Sequence, residues 1–249
     1  MLYKLISIET FIRYGQRILN RLWEENLISK YVYLNFQYEM YLTLLKNQSK
    51  NLHKQYEKAK DLLVNIGAGS QGKSGWVNVD ITSAPGIDCV CDCRTSLPFS
   101  NESVKFIFTE HFFEHIDYQE EVPLFLSECY RVLQPGGVIR IVVPDIQKYL
   151  YGYCEEGWDK LSAIRPLDSE KTDFYYDFQY NTKLEIINFV FRQNYEHKYA
   201  YDYETLEFIL YKYGFSIVKK QDFGKSFINE LCIDQEIRAS ESLYVEAIK

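Results

Sequence analysis

The sequence predicts an α/β fold: a seven-stranded, mostly parallel sheet with helices on both faces, an N-terminal helical extension and an inserted cap. Two observations favour this fold class. From residue 61 onward, short apolar runs alternate with stretches of helical periodicity, as in a parallel sheet wrapped by helices. The apolar run at 62–66 then stops abruptly at Gly67 and Gly69, as a buried parallel strand does where it ends in a ligand-binding loop.

The composition fits one domain with additions. The chain has 249 residues, enough to bury a large core. Its net charge of −7 argues against non-specific nucleic-acid binding, which depends on basic surface. No signal peptide is visible, and no apolar run reaches the ~18 residues of a membrane span. The six cysteines lack common zinc-site spacing, and we therefore expect reduced core thiols in a cytoplasmic protein.

Residues 1–60 are expected to form the helical extension. Apolar residues fall on one face of a first helix over 11–23 and of a second over 31–45. Arg13, Arg17 and Arg21 lie four apart on the first helix, where a solvated face is the favoured interpretation. Contact with an anionic membrane surface or a partner is the alternative. The extension could cover the short link after the glycines or form a homodimer surface.

A second region, 61–249, is expected to form the main domain. Gln134-Pro135-Gly136-Gly137 predicts a turn. Residues 151–200 interrupt the alternation, apart from a short helical pattern near 182–192, and an insertion there is placed to cover a substrate. Strands are predicted near 62–66, 76–81, 87–91, 104–109, 137–143, 215–221 and 242–248, and helices near 118–133, 145–155 and 203–213.

The glycine-rich loop matches three motifs. Gly67-x-Gly69-x-x-Gly72 fits the dinucleotide fingerprint, and the same loop extended to Lys73-Ser74 fits the phosphate loop of NTPases. Both motifs need a helix directly after the glycines, whereas residues 75–81 alternate as a strand does. Because a parallel crossover usually needs a dozen or more residues, we expect a reduced helix or a bare loop. A P-loop kinase or NTPase stays as the alternative.

The third motif in the glycine-rich loop is Asn65-Ile66-Gly67-Ala68-Gly69, and it is the first of several stretches that follow one another along the chain. Residues 65–69, 76–81, 88–99, 106–116 and 128–137 resemble successive motifs of class I S-adenosyl-L-methionine (SAM)-dependent methyltransferases, in the family's order. Residues 203–247 resemble that family's C-terminal helix and strands. The resemblance implies a Rossmann-like fold and the cofactor SAM, with S-adenosyl-L-homocysteine as its product.

A narrower resemblance concerns the substrate. Residues 77–80, 114–115, 143–145 and 201–206 are similar to predicted methyltransferases found beside bacterial surface-polysaccharide genes. This implies O-methylation of a capsule or surface-glycan precursor, at a sugar hydroxyl or at a phosphate-type group on a nucleotide-activated intermediate. A non-catalytic binding module with the same fold is a further alternative.

The resemblance also implies the residues that contact the cofactor. Asp80 offers a carboxylate that suits the ribose diol, and Asp92 could accept from the adenine amino group, although either could serve a turn instead. Asn65 stands where the family often has an acid, so that charge is missing beside the methionine amino group. The expected set is Asn65, Gly67, Ala68, Gly69, Asp80, Ile81, Asp92, Cys93 and Glu110.

Glu110, His111 and His115 are the expected catalytic residues, because they follow the fourth strand at the ligand end of the sheet. Either histidine could take a proton from an acceptor hydroxyl, since histidine titrates near neutral pH. Residues 111–115 also match the H-x-x-E-H pattern of zinc peptidases. That pattern requires a helix, so no metal site is expected here. The alternative is that Glu114 and His115 only hold the turn.

The acceptor is expected to contact the loops and the insertion. A phosphate-type oxygen is already anionic and needs cationic clamps rather than a base. His197 lies in the insertion and could reach the site, although a lone histidine is more often structural. The expected substrate-binding residues are Arg94, Arg165, Arg192 and His197, with Lys198 as a further cation.

Overall fold

The chain begins with two helices that form a hairpin. The computed structural model describes residues 8–174 and 176–249. Helix α1 spans Ile8–Glu24 and helix α2 spans Lys30–Tyr56. The Ser29 hydroxyl caps α2 by accepting a hydrogen bond from the Val32 N–H. The predicted helical N-terminus is thus confirmed from residue 8 onward, and residues 1–7 lie outside the described part.

Seven strands follow and form one sheet. They are ordered β3-β2-β1-β4-β5-β7-β6; β7 runs antiparallel to both of its neighbours, and the other pairs are parallel. The strand order reverses beside β1, which is where open parallel sheets bind ligands. The predicted Rossmann-like, mostly parallel sheet with helices around it is confirmed. The strands are β1 (Leu62–Ile66), β2 (Val77–Asp80), β3 (Cys89–Val90), β4 (Val104–Glu110), β5 (Leu133–Pro144), β6 (Ser216–Gln221) and β7 (Ser242–Ile248).

The two faces of the sheet are covered differently. Helices α3 (Glu121–Val132) and α7 (Tyr203–Lys212) and the end of α2 pack on one face, in a large apolar core. The other face is covered by the segment 222–241, which contains short 3₁₀ turns. Arg140 holds this segment: it is fully buried and pairs with Asp234 at 2.6 Å and with Glu246 at 2.8 Å.

The insertion after β5 has a hydrophobic cluster of its own. It contains α4 (Ile146–Cys154), α5 (Asp159–Ile164) and α6 (Lys183–Arg192), which enclose Tyr149, Leu161 and Ile186. A capping box between Thr182 and Glu185 starts α6. The limits of the extension, the main domain and the cap stay predictions. Within the described residues, no helix is long and apolar enough to span a membrane.

The segment 134–137 was predicted as a turn before the fifth strand, and the structure corrects this prediction. It lies within β5, because Leu133 already pairs with Val104 on β4. The pairing resumes only at Val138 opposite Phe106, so the intervening residues bulge out of register. Gly136 has φ +77° and allows this bulge.

Candidate active site

The loop after β1 lies at the point where the strand order reverses. Gly67 and Gly69 have φ values of +71° and +51°, which glycine adopts without a steric penalty. The N–H groups of Gly67 and Ala68 donate to the Val79 carbonyl at 2.9 and 3.1 Å. A Cβ on Gly67 would lie 2.5 Å from Phe112, so this glycine permits the residue after β4 to approach the loop closely.

No helix follows the glycines. All of residues 67–76 are described and none is helical, which confirms the bare-loop expectation. The Lys73 ammonium donates to the Ile233 carbonyl at 2.9 Å, and the Lys73 N–H donates to Asn78 Oδ1. The dinucleotide fingerprint and the phosphate loop of NTPases both require a helix directly after the glycines, and this loop is not followed by one. The P-loop alternative therefore has no structural support.

Asn65 braces the loop from behind. Its side chain is buried and donates to Asn78 Oδ1 at 3.0 Å, the same atom that accepts from the Lys73 N–H at 2.7 Å. The expectation that Asn65 binds the cofactor stays a prediction. Its amide is used within the loop network, and it does not line the cavity beside the loop.

A cavity of about 210 Å³ lies beside the glycine loop. From the predicted cofactor set it brings together Gly67, Asp80, Ile81, Asp92 and Cys93, whereas Ala68, Gly69 and Glu110 do not line it. The residues that complete its wall are Tyr38, Arg94, Phe112, His115 and Ile116.

A larger cavity, of about 520 Å³, lies between α2 and the segment 91–101. It contains no residue of the glycine loop, so we place the site at the smaller cavity. Asp92 lines both cavities, which therefore adjoin at its side chain. The two together reach the size range of small-molecule sites, roughly 300–1,000 Å³.

Asp80 ends β2 and faces the loop. Its Oδ2 accepts from the Gly69 N–H and its Oδ1 from the Thr82 N–H, both at 2.8 Å. Asp80 therefore holds the turn, and its role in binding the cofactor stays a prediction. Each carboxylate oxygen has a further lone pair, so the group can still accept hydrogen bonds from a ligand.

Asp92 is part of an ion cluster. Arg94 donates to both of its oxygens, at 2.7 and 2.8 Å, and to Glu121 at 2.9 Å. The hydrogen bonds to Asp92 raise the pKa of Arg94. Arg94 does line the cavity, but two carboxylates already neutralise its charge. Its expected role in binding the substrate stays a prediction.

Helix α2 forms a wall of the site that the sequence pattern did not reveal. Tyr38 lines the cavity, and the Arg94 guanidinium lies 5.7 Å from the centre of its ring. The Tyr41 hydroxyl donates to the Ile81 carbonyl. Helical periodicity placed Tyr38 on an apolar face without indicating what that face contacts. Phe112 was also missed, because no motif signals its packing on Gly67.

The expected catalytic residues occupy different positions. The Glu110 carboxylate is held by Gln235, whose N–H and side-chain amide donate to it at 2.9 and 2.8 Å. His111 has φ +52°, and its Nε2 lies 2.9 Å from Ser242 Oγ. Neither Glu110 nor His111 lines the cavity, whereas His115 does. Catalysis by Glu110 and His111 stays a prediction.

Three histidines surround the buried carboxylate of Glu114. His111 Nδ1 lies 3.2 Å and His197 Nε2 lies 4.0 Å from Glu114 Oε1. The His115 and His197 rings meet edge to face, with their centres 4.8 Å apart. Burial lowers the pKa of His197. Burial acts to raise the pKa of Glu114, but the nearby histidines outweigh it and hold that pKa below its usual value.

The other expected substrate-binding cations lie in the cap. Arg165 is buried and pairs with Asp173 and Glu241, and its expected role in binding the substrate stays a prediction. Arg192 is exposed, with its guanidinium 4.6 Å from the centre of the Tyr195 ring. It lines a groove of about 390 Å³ in which half of the lining side chains are aromatic. The lining residues are Tyr176, Phe178, Glu185, Asn188, Phe189, Arg192, Asn194 and Tyr195.

Residues 70–141 match the model of the methyltransferase domain family. No curated protein matches the chain. Among solved structures, it is similar to a SAM-dependent methyltransferase from Archaeoglobus fulgidus, with 18% identity over 89% of this chain and 100% of that chain and a TM-score of 0.45. It is also similar to phosphoethanolamine N-methyltransferase 2 from Haemonchus contortus in complex with SAM, with 15% identity over 82% and 52% of the two chains and a TM-score of 0.41. A SAM-dependent methyltransferase from Mesorhizobium loti has 15% identity over 81% and 97% and a TM-score of 0.43.

The domain match covers the strands and turns that form the cavity wall from Asp80 to Ile116. It supports the predicted class I methyltransferase with SAM as its cofactor.

Proposed function

We propose that the protein transfers the methyl group of SAM to an oxygen atom of a bacterial surface-glycan precursor. The observation that carries the proposal is the cavity beside the glycine loop, where Asp80 and Asp92 share walls with Ile81, Phe112 and Ile116. Two carboxylates can accept from a ribose diol and from an adenine amino group, and the apolar side chains offer a surface for a purine ring. This set of groups fits an adenosine moiety.

Methyl transfer depends mainly on positioning. Bound SAM would supply an electrophilic methyl group, and the protein would orient the acceptor oxygen toward it. Asp80 would hold the ribose and Asp92 the adenine. His115 is the histidine in the cavity wall, so we place the acceptor oxygen next to it. Glu110 and His111 would act as positioning residues, since Gln235 and Ser242 hold them.

A sugar hydroxyl is the favoured acceptor group. A phosphate-type acceptor would need cationic clamps, yet Arg94 and Arg165 are each paired with two carboxylates. The aromatic groove of the cap supports a glycan, because aromatic faces and planar polar side chains can pack on a sugar and bind its hydroxyls. Glu196, next to this groove, contacts His115 through its carbonyl, which connects the cap to the cavity wall.

Calorimetric titration tests the cofactor. We expect S-adenosylhomocysteine to bind with one site per chain and MgATP to bind far more weakly. Tight binding of MgATP without binding of S-adenosylhomocysteine would overturn the proposal and restore the NTPase alternative. Binding of S-adenosylhomocysteine without any turnover of SAM would favour the non-catalytic module.

A mass-spectrometric screen tests the acceptor. Incubation of the protein and SAM with nucleotide-linked sugars and sugar phosphates should give a product heavier by about 14 daltons, the mass of one CH₂ group. Fragmentation should then locate the added methyl group on a sugar hydroxyl. Methylation on nitrogen, or on a phosphate oxygen, would contradict the proposed acceptor while leaving SAM as cofactor.

We also propose that the N-terminal hairpin forms a homodimer. Large apolar side chains on this hairpin are exposed, among them Tyr14, Leu27 and Tyr31. Exposed apolar surface of this kind often marks an interface between proteins. Sedimentation velocity should therefore show a dimer that is weakened by Tyr31→Lys. A monomer at all concentrations would contradict this proposal.

The reducing cytoplasm is the proposed compartment. All six cysteines are free thiols in the structure, with four of them buried. Disulfides persist mainly in oxidising compartments, so an array of unpaired thiols supports this location. Fractionation of cells that express the protein from its natural gene would test it, and recovery outside the cytoplasm would contradict it.

A further inference from the structure

The Glu114 carboxylate is an unusual buried charge. Its side chain is 2% exposed, and no described residue makes a well-aligned hydrogen bond to either of its oxygens. The nearest polar atom is His111 Nδ1, which approaches Oε1 to 3.2 Å. Buried charges are normally paired or coordinate a metal ion. Glu114 Oε2 has no hydrogen-bond partner among the described residues, so this oxygen is available to a cation.

Hydrogen bonds fix the orientation of the two neighbouring imidazoles. His197 Nδ1 lies 2.6 Å from the Val190 carbonyl, and His115 Nδ1 lies 3.2 Å from the Glu196 carbonyl. A carbonyl can only accept, so each Nδ1 carries a hydrogen and Nε2 is the ring atom left to face a metal ion. In His197 this atom lies 4.0 Å from Glu114 Oε1.

We propose that Glu114, His115 and His197 bind a divalent transition-metal ion of the zinc type. One ligand atom from each residue lies within 4.8 Å of the other two. Ligand atoms around one zinc ion are roughly 3.3 Å apart, so small side-chain rotations would complete the site. Two imidazoles and one carboxylate form a set that zinc accepts, with a fourth position left open. Imidazole ligands disfavour magnesium and calcium.

The surrounding groups fit a metal site as well. Ligating histidines commonly donate their second ring N–H to a backbone carbonyl, as His115 and His197 do here. His111 is the corresponding partner of the carboxylate, held between Glu114 and Ser242. The chain has four histidines, and three of them lie around Glu114. His197 comes from the cap, so the H-x-x-E-H motif at 111–115 supplies only two of the three proposed ligands, Glu114 and His115.

The ion would lie at the wall of the cofactor cavity, since His115 lines that cavity. A role in binding the acceptor oxygen at the open position rests on the proposed function. Metal binding itself does not, and it can be measured with no cofactor or acceptor present. The two proposals can therefore fail separately.

Zinc binding by the full chain tests the proposal. The protein is prepared without an affinity tag, in a Cys154→Ser, Cys232→Ser background that removes the exposed thiols, and is stripped with a chelator. Competition with a chromophoric chelator should show one Zn²⁺ per chain. His197→Ala and Glu114→Gln should each lower the affinity by at least tenfold, since even outer-shell changes cost 10–100-fold. The matched control His53→Ala, at the histidine remote from the cluster, should stay within about twofold.

Melting temperatures separate the loss of a ligand from misfolding. Zn²⁺ at about 100 times its Kd should raise the Tm of the parent protein by roughly 5–10 °C and leave that of Glu114→Gln unchanged. A cooperative melting transition of Glu114→Gln without metal shows that this variant is folded. The proposal is overturned if both ligand variants lose less than tenfold in zinc affinity, if no zinc binds, or if binding depends on His53.

Discussion

Asp80 is the residue on which the cofactor site depends most directly. It lines the cavity, and its carboxylate also holds the Gly69 N–H. We expect Asp80→Ala to weaken S-adenosylhomocysteine binding by about 1.5–3 kcal/mol, the scale of hydrogen bonds to a charged group. Calorimetric titration would measure the loss, and thermal unfolding would show only a small change, because the loop lies at the surface.

Asp88 provides a matched control for this prediction. It also accepts hydrogen bonds at β2, from the Asn78 N–H and the Asn78 amide at 2.9 and 3.0 Å, but it does not line the cavity. Asp88→Ala should therefore lower the melting temperature while affinity changes little. If both variants lose affinity equally, Asp80 acts only by holding the loop.

Lys73 distinguishes the methyltransferase from the phosphate-loop alternative. Its ammonium contacts the Ile233 carbonyl and does not line the cavity. Lys73→Ala should leave S-adenosylhomocysteine affinity within about twofold, a difference below ~0.5 kcal/mol. A true phosphate loop would lose nucleotide binding on the same change, so a large loss of affinity would contradict our interpretation.

The position of a single residue could be predicted where the residue lies next to a recognisable strand end. Asp80 and Asp92 follow strands at the ligand edge, and the structure brings both to one cavity. The hydrogen bond from Asn65 to Asn78 joins two neighbouring strands, which a motif cannot show. The contact between His197 and Glu114 joins positions 83 residues apart, beyond the reach of any local pattern.

At the scale of elements, helix α2 lies outside the main domain but forms one wall of the cavity through Tyr38. Tyr38→Ala should weaken S-adenosylhomocysteine binding by about 0.5–1.5 kcal/mol, the usual worth of an aromatic contact. Tyr31→Ala is the matched control, since Tyr31 lies on the same helix and is exposed away from the cavity. Titration of both variants checks the prediction, and equal affinities would show that α2 does not contact the cofactor.

The strands were easier to predict than the helices of the cap. Buried parallel strands such as β1 and β4 leave continuous apolar runs in the sequence. The predicted positions overlap all seven observed strands. Helix α5 was missed because its six residues are too few to establish a helical period. The start of β5 was placed too late, since the bulge at Gly136 has the composition of a turn although its flanking residues pair with β4.

At the scale of the whole molecule, Glu241 joins the cap to the sheet. It precedes β7 and is almost fully buried. Tyr149 of α4 and Arg165 after α5 donate to its Oε2 at 2.8 Å, and Arg238 donates to its Oε1 at 2.7 Å. Burial acts to raise the pKa of Glu241, but the charges of Arg165 and Arg238 outweigh it and hold that pKa below its usual value.

This lowered pKa predicts acid sensitivity of the cap. A carboxyl whose pKa is lower in the folded than in the unfolded protein stabilises the fold above its unfolded value, about 4.3, and loses that contribution as the pH falls. Below pH ~4.3 the free energy of unfolding should therefore fall by up to about 1.4 kcal/mol per pH unit from this group alone. Urea unfolding between pH 7 and pH 3.5 would measure the slope.

Substitution isolates the contribution of Glu241 from that of other carboxyls. Glu241→Gln should be less stable than the parent at pH 7, because Arg165 and Arg238 lose a charged partner, and its stability should fall less steeply in acid. The two curves should converge as the pH drops through the folded pKa of Glu241. Glu39→Gln, at an exposed position on α2, should follow the parent curve throughout. Parallel curves for the parent and Glu241→Gln would show that acid acts on the cap through other groups.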